Sequence, residues 1–222
     1  RALRDSRSID TFVDILRSDP AWGDGFLSTA ARDPEVLGNL GLVRQRLRDE
    51  VVDPVADRRL VHAFARAGQL DLAYDLYARL SAQRSGEGWA SDIPPFDWTL
   101  ADEPGFRAQV IGGSDELQLT IARGKGGVFA KRIAPAHSRS ISIRGQHELQ
   151  PQRQADRLEI TVGCMGRDAP VARGNLADGR ITLDAGLPAD CGFVEISLSG
   201  RAWSDGQRIT GSIAPLAITF AE

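Results

Sequence analysis

The chain has 222 residues, a formal charge of −3, 42% hydrophobic and 26% charged residues, the make-up of a globular protein long enough to bury a core. Acidic and basic residues are interspersed with no basic stripe, which argues against nucleic acid as a partner. No apolar run approaches the roughly 20 residues of a membrane-spanning helix.

The chain opens on Arg1 and its single methionine is Met165, so it reads as a fragment or a processed product from which any signal peptide or membrane anchor has been lost. In the first half, apolar residues recur every three or four positions, the helical period. Asp19-Pro20, Asp33-Pro34 and Asp53-Pro54 each read as a helix start. Aspartate accepts from free N–H groups of a first turn and complements the helix dipole, and proline at the first helical position forfeits no hydrogen bond. Helices are expected over 9–17, 20–31, 34–49, 54–67 and 70–83.

The last two form a hairpin. Leu60, Val61, Phe64 and Ala65 make one apolar face, Gly68 marks the break, and Leu72, Ala73, Leu76, Tyr77 and Leu80 make the answering face. The string AFARAGQLDLAYDLYARL resembles one tetratricopeptide-type helical repeat. A plain helical bundle is the other reading, since a 34-residue period is not evident upstream and Gly38 and Gly41 interrupt the third helix. Either way this half is expected to pack against a protein partner.

Between residues 84 and 98 the apolar period falls to two. Arg84-Ser85-Gly86-Glu87-Gly88-Trp89 leads into Pro94-Pro95-Phe96-Asp97-Trp98. The break divides the chain into a helical region over 1–84 and a β-sandwich over 85–222, an α+β protein in two parts. Paired prolines and two tryptophans at the junction predict packing there, not a floppy tether.

Beyond it, short alternating stretches read as eight to ten antiparallel strands of a sandwich or jelly roll. They run through Arg107–Ile111 (closed by Gly112-Gly113-Ser114), Leu117–Ile121, Val128–Ile133, Ile141–Ile143, Leu158–Cys164, Ile181–Leu183, Val194–Leu198, Ile209–Ile213 and Leu216–Phe220. No helix signal interrupts them. Gly124-Lys125-Gly126-Gly127 is followed by a strand, so it reads as a hairpin turn and not as a phosphate cradle, which needs a helix there.

Cys164 closes one strand and Cys191 opens another. A disulfide between neighbouring strands would contribute roughly 3–4 kcal/mol in the chain-entropy model and implies an oxidising compartment, periplasmic or exterior. Two buried free thiols are the alternative.

The stretch GWASDIPPFDWTL, then LQLTIARG and the late cysteine pair, resembles a carbohydrate-binding-module-like, galactose-binding-type jelly roll. Such domains follow tetratricopeptide-type helices in bacterial proteins associated with exopolysaccharide gene clusters. The resemblance spans roughly residues 86–222. It implies a non-catalytic protein that touches polysaccharide or oligosaccharide and docks to a protein through its helices. The family's last strand often carries an aspartate for structural calcium, but Ala214, Leu216 and Ala217 stand there, so no metal or cofactor is expected.

Sugar recognition uses a flat aromatic face for the C–H side of the ring, with amide, carboxylate or guanidinium groups for hydroxyls. Trp203, in Arg201-Ala202-Trp203-Ser204-Asp205-Gly206, is the candidate platform, with Arg201 and Asp205 beside it. Trp89 is a further candidate or a plug at the junction, and Trp98 is expected in the core. The scattered His62, His137 and His147 stand at no metal spacing from a cysteine. No nucleophile elbow occurs, and Asp102-Glu103 and Asp115-Glu116 lie in turn-like segments. A glycan-binding accessory protein is therefore the leading expectation. A purely structural or protein-interaction module without a sugar site comes second, and a carbohydrate-active enzyme third.

Overall fold

The computed structural model describes residues 2–47, 54–82, 88–111 and 115–221. The chain divides into two compact units, Arg1–Ser85 and Gly86–Glu222. Arg84 to Glu87 of the expected junction, Gly112-Gly113-Ser114, Asp53 and the ends of the 34–49 and 70–83 helices lie outside the described residues.

In the helical unit, two short 3-10 turns precede α1 (Ile9–Arg17), α2 (Gly23–Ala30), α3 (Leu37–Arg46), α4 (Pro54–Arg66) and α5 (Leu70–Ser81). The Asp-Pro pairs set α2 and α3 three residues too early. Pro20 and Pro34 instead open single turns closed by i→i+3 bonds, Gly23 N–H to the Pro20 carbonyl at 2.7 Å and Leu37 N–H to the Pro34 carbonyl at 3.4 Å. Asp33 still caps its turn, accepting from Glu35 N–H at 3.0 Å. Asp19 does not, because its backbone sits at φ 48°, a left-handed residue that ends the preceding helix.

The α4–α5 hairpin forms as its pattern dictates. Gly68 takes φ 75°, and the bonds from Gln69 N–H to Phe64 O (2.9 Å) and Gly68 N–H to Ala65 O (3.1 Å) close a Schellman motif. Leu60, Val61, Phe64, Ala73 and Leu76 are buried. Gly41 has a packing role: a Cβ there would lie 2.7 Å from Leu72 Cδ1 and 3.6 Å from Phe64 Cζ, so its lack of a side chain lets α3 approach the hairpin. Arg44 of α3 meets Asp57 of α4 in a buried bidentate pair, Nε to Oδ1 and Nη2 to Oδ2 both at 2.8 Å, while Nη1 donates to the Leu47 carbonyl at 2.7 Å.

The second unit is an antiparallel sandwich. Its strands are β1 (Thr99–Leu100), β2 (Asp102–Glu103), β3 (Phe106–Val110), β4 (Leu117–Ile121), β5 (Gly126–Pro135), β6 (Ser140–Gln146), β7 (Glu159–Cys164), β8 (Ala172–Ala177), β9 (Arg180–Gly186), β10 (Phe193–Arg201), β11 (Ile209–Ile213) and β12 (Ala217–Ala221). An eight-stranded sheet runs β1-β5-β10-β7-β8-β9-β6-β12, and a four-stranded sheet runs β11-β4-β3-β2. Both contribute alternate residues to one core: Leu117, Leu119 and Ile121 of β4 share it with Ile160 and Val162 of β7, Ile196 and Leu198 of β10, and Trp98.

Three details differ from expectation. Gly124–Gly127 is not a hairpin turn, because β4 and β5 belong to different sheets and the glycine-rich turn carries the chain across the sandwich. A four-residue helix, α6 (Gln152–Ala155), interrupts the strands; it is too short to leave a helical period. The strand β8 was hidden by its polar sequence ARGNLA, although Asp178 (φ 53°) and Gly179 (φ 72°) form the Asp-Gly turn that pairs it with β9.

Cys164 and Cys191 form the disulfide, with Cα atoms 5.5 Å apart, beside the β7–β10 pairing.

His147 is buried at 6% exposure. Its Nδ1 accepts from Leu149 N–H at 3.3 Å, and its Nε2 lies 3.3 Å from the Leu176 carbonyl, so both contacts are met by a neutral ring with its proton on Nε2. Burial pushes its pKa below the ordinary 6.5, against an opposing pull from the Leu176 carbonyl and Asp156. The folded ring thus holds fewer protons than the unfolded one. Stability is undiminished above pH 6.5 and declines as pH falls below it and through the lowered folded value. The urea midpoint of this unit is expected to drop between about pH 7 and pH 5, and His147→Gln should flatten that slope. An unchanged slope in the variant would show that His147 is not the responsible group.

Candidate functional site

The site is built on α6, whose Gln154 is 8% exposed and works as a clamp. Its Oε1 accepts from Trp203 N–H at 3.2 Å and its Nε2 donates to the Gln207 carbonyl at 2.9 Å. The loop between these points is closed by Gly206 N–H donating to the Trp203 carbonyl at 3.2 Å. The β4–β5 turn is tied to the same loop, Gly124 N–H to Ala202 O at 2.9 Å and Ala202 N–H to Lys125 O at 3.0 Å.

Held this way, Trp203 is 44% exposed. The guanidinium carbon of Arg157 stands 4.2 Å from its ring centroid, a cation–π contact on one ring face. Arg201, at the end of β10, and Asp205 are exposed. Trp89, by contrast, is corrected as a candidate. It is 2% exposed, its indole N–H donates to the Ile213 carbonyl at 3.1 Å, and its ring lies 4.7 Å from that of Trp98. It fills the sandwich core and offers no face to a sugar.

Beside the Trp203 loop lies an open cleft of about 690 Å³ lined by Arg123, Gln150, Pro151, Gln207, Arg208 and Thr210, among others. Its floor is held by Gln150 and Thr210, which exchange N–H···O bonds of 2.8 and 2.9 Å. The cleft therefore presents two guanidinium and two amide groups, chemistry that can grip hydroxyl and anionic oxygens. Local sequence carried no sign of it beyond the Gln207-Arg208 pair following the tryptophan turn. Gln150, Gln154 and Arg157 belong to a segment with no motif.

A second cleft, about 310 Å³ in the helical unit, lies among Arg32, Arg59, His62 and Arg66. Burial and the Arg66 charge lower the His62 pKa. A third, about 480 Å³, lies by Arg144 and Arg180, where Arg144 is engaged bidentately by Asp184 at 2.7 and 2.8 Å. Among the described residues, no carboxylate lines any of these three. Asp102 is a β2 residue paired with Arg107 at 2.7 Å, and Asp115 and Glu116 are exposed. Among the described residues no group of three or more His, Cys, Asp or Glu could hold a metal ion.

No family model matches the chain, and no curated protein matches it. Among solved structures it is similar to one of accessory secretory proteins 1, 2 and 3 of Streptococcus pneumoniae, at 12% identity over 63% of this chain and 98% of that one, TM-score 0.39. A family 61 carbohydrate-binding module in complex with β-1,4-galactotriose gives 10% identity over 61% and 100%, TM-score 0.38. A family 29 carbohydrate-binding module gives 19% over 59% and 82%, TM-score 0.35. Identities and scores this low establish no kinship.

Proposed function

We propose that this is a non-catalytic glycan-binding or polysaccharide-associated accessory protein whose β-sandwich touches saccharide and whose helical unit docks to a protein. The observation that carries the reading is Trp203, exposed on a loop whose backbone is clamped by Gln154, beside a cleft lined by glutamines and arginines. The C–H face of a pyranose packs on such a ring, and hydroxyls bond to Gln150, Gln207 and the neighbouring Arg201 and Asp205. A pre-formed loop loses little entropy on binding.

The Cys164–Cys191 bond supports an oxidising compartment, periplasmic or exported. Protein docking is supported by apolar side chains that the helical unit leaves in solvent: Ile15 at 41%, Leu42 at 42% and Trp22 at 49% exposure. Trp22 stands edge-on to Phe26, which stacks on Phe12 at 5.3 Å.

The test is a glycan array and a titration with the host's own exopolysaccharide, comparing the protein with its Trp203→Ala variant. Losing the ring is expected to weaken binding about three- to tenfold. Equal binding by both proteins removes Trp203 from the site, and no binding to any glycan refutes the reading.

A further inference from the structure

We infer that the ligand of this site is an acidic saccharide bearing carboxylates, of the uronic-acid class; the inference rests on the glycan-binding reading above. Residues 122–127, 150–157 and 200–210 hold Arg123, Lys125, Arg153, Arg157, Arg201 and Arg208 against only Asp156 and Asp205. These three segments carry six cations against two acids, a net +4, on a chain whose formal charge is −3.

The hydrogen bonds already given bring the three segments together. Gln154 ties the second to the third, and the Gly124 and Lys125 backbones tie the first to the third. All six cationic residues are exposed. Among the described residues, none has a carboxylate within ion-pairing distance. Elsewhere on the same unit Arg107, Arg144 and Arg167 pair with Asp102, Asp184 and Asp190, while Arg139, Arg173 and Arg180 also have no such partner among the described residues. What distinguishes the six is that their segments are tied together. Of the two local acids, Asp156 is occupied, accepting from Gln152 Nε2 at 2.7 Å and from Asp178 N–H at 3.2 Å.

Unpaired cations on segments tied to one another add up to a field that attracts anions. The cleft says which kind. Arg123 and Arg208 line it together with the amides of Gln150 and Gln207. A guanidinium fork matches a planar carboxylate with two parallel bonds, and the amides suit the hydroxyls between. A neutral sugar leaves both guanidiniums without a counter-charge. Single-stranded nucleic acid is the other polyanion to weigh. It is bound on a succession of stacking rings, whereas Trp203 is the one exposed aromatic among the described residues of these three segments, and Arg157 already covers one of its faces.

The experiment titrates the full chain with oligouronates of galacto, gluco, manno and gulo configuration, each also as its methyl ester, with inorganic polyphosphate and single-stranded DNA as charge-only probes. The expected result is binding to at least one uronate and about tenfold or greater loss on esterification. Arg123→Gln with Arg208→Gln should bring a similar loss for the acid and little change for the ester, and affinity should weaken as salt is raised. Esters bound as well as acids overturn the inference while the glycan-binding reading stands, as does binding to neutral glycans alone. Polyphosphate or DNA bound as tightly as the uronate also overturns it, since charge without sugar chemistry then suffices. No binding to any saccharide overturns both.

Discussion

An Asp57→Ala variant is expected to lose about 3–5 kcal/mol from the stability of the helical unit, because it strands a buried cation. The side chains of Arg44 and Asp57 are only 7% and 5% exposed. Arg44 donates to Asp57 and to the Leu47 carbonyl, so the loss of the aspartate removes two of these three bonds from a group shielded from bulk solvent. Removing the aspartate leaves the guanidinium buried with one carbonyl for company. Domains of this size hold only about 5–15 kcal/mol in total, so the unit should lie near its unfolding threshold.

Replacing both residues, Arg44→Leu with Asp57→Leu, is expected to cost much less than the single change, since the desolvation penalty disappears along with the attraction. Urea denaturation followed by far-UV circular dichroism, with Trp22 fluorescence as a local reporter, measures both. A single variant that loses no more than about 1 kcal/mol would behave like an exposed pair and contradict the buried geometry.

The second large effect is expected from the disulfide. Cys164→Ala with Cys191→Ala should destabilise the β-sandwich by about 3–4 kcal/mol on the chain-entropy model, given the 27-residue separation of the two cysteines. That corresponds to a fall of roughly 10 °C in the thermal midpoint of that unit. Thiol titration in denaturant without reductant should find no free thiol in protein from its native host. Two titratable thiols there would remove the support for an oxidising compartment.

Much of the fold was legible from local chemistry. The α4–α5 hairpin could be read because apolar spacing and Gly68 act within one helical turn of each other. Trp98 was rightly expected inside, where it is 2% exposed. Some misses were local, the single turns that Pro20 and Pro34 open and the polar sequence of β8; the others concern information that lies across the fold. Whether Gly124–Gly127 turns back or crosses to the other sheet depends on where β10 lies, since β5 pairs with it along nearly its whole length. Trp89 and Trp203 both sit in loop-like sequence, yet one indole donates to the Ile213 carbonyl inside the core, while Gln154 anchors only the backbone N–H of the other, which is 44% exposed.

Periodicity and capping are set by neighbours in the chain, so the two-part architecture, the five helices and most strands could be read locally. The choice between a Cys164–Cys191 bond and two free thiols waited on strands that the fold brings together. Trp203, Arg201 and Asp205 could be picked out as candidates locally, but the gathering of cationic residues around them could not. Arg123, Arg157, Arg201 and Arg208 are spread over 85 positions of an acidic chain and form no basic stripe that composition could reveal. Antiparallel pairing and one buried glutamine bring their segments to a single end of the sandwich, where charges distant in sequence act as one field.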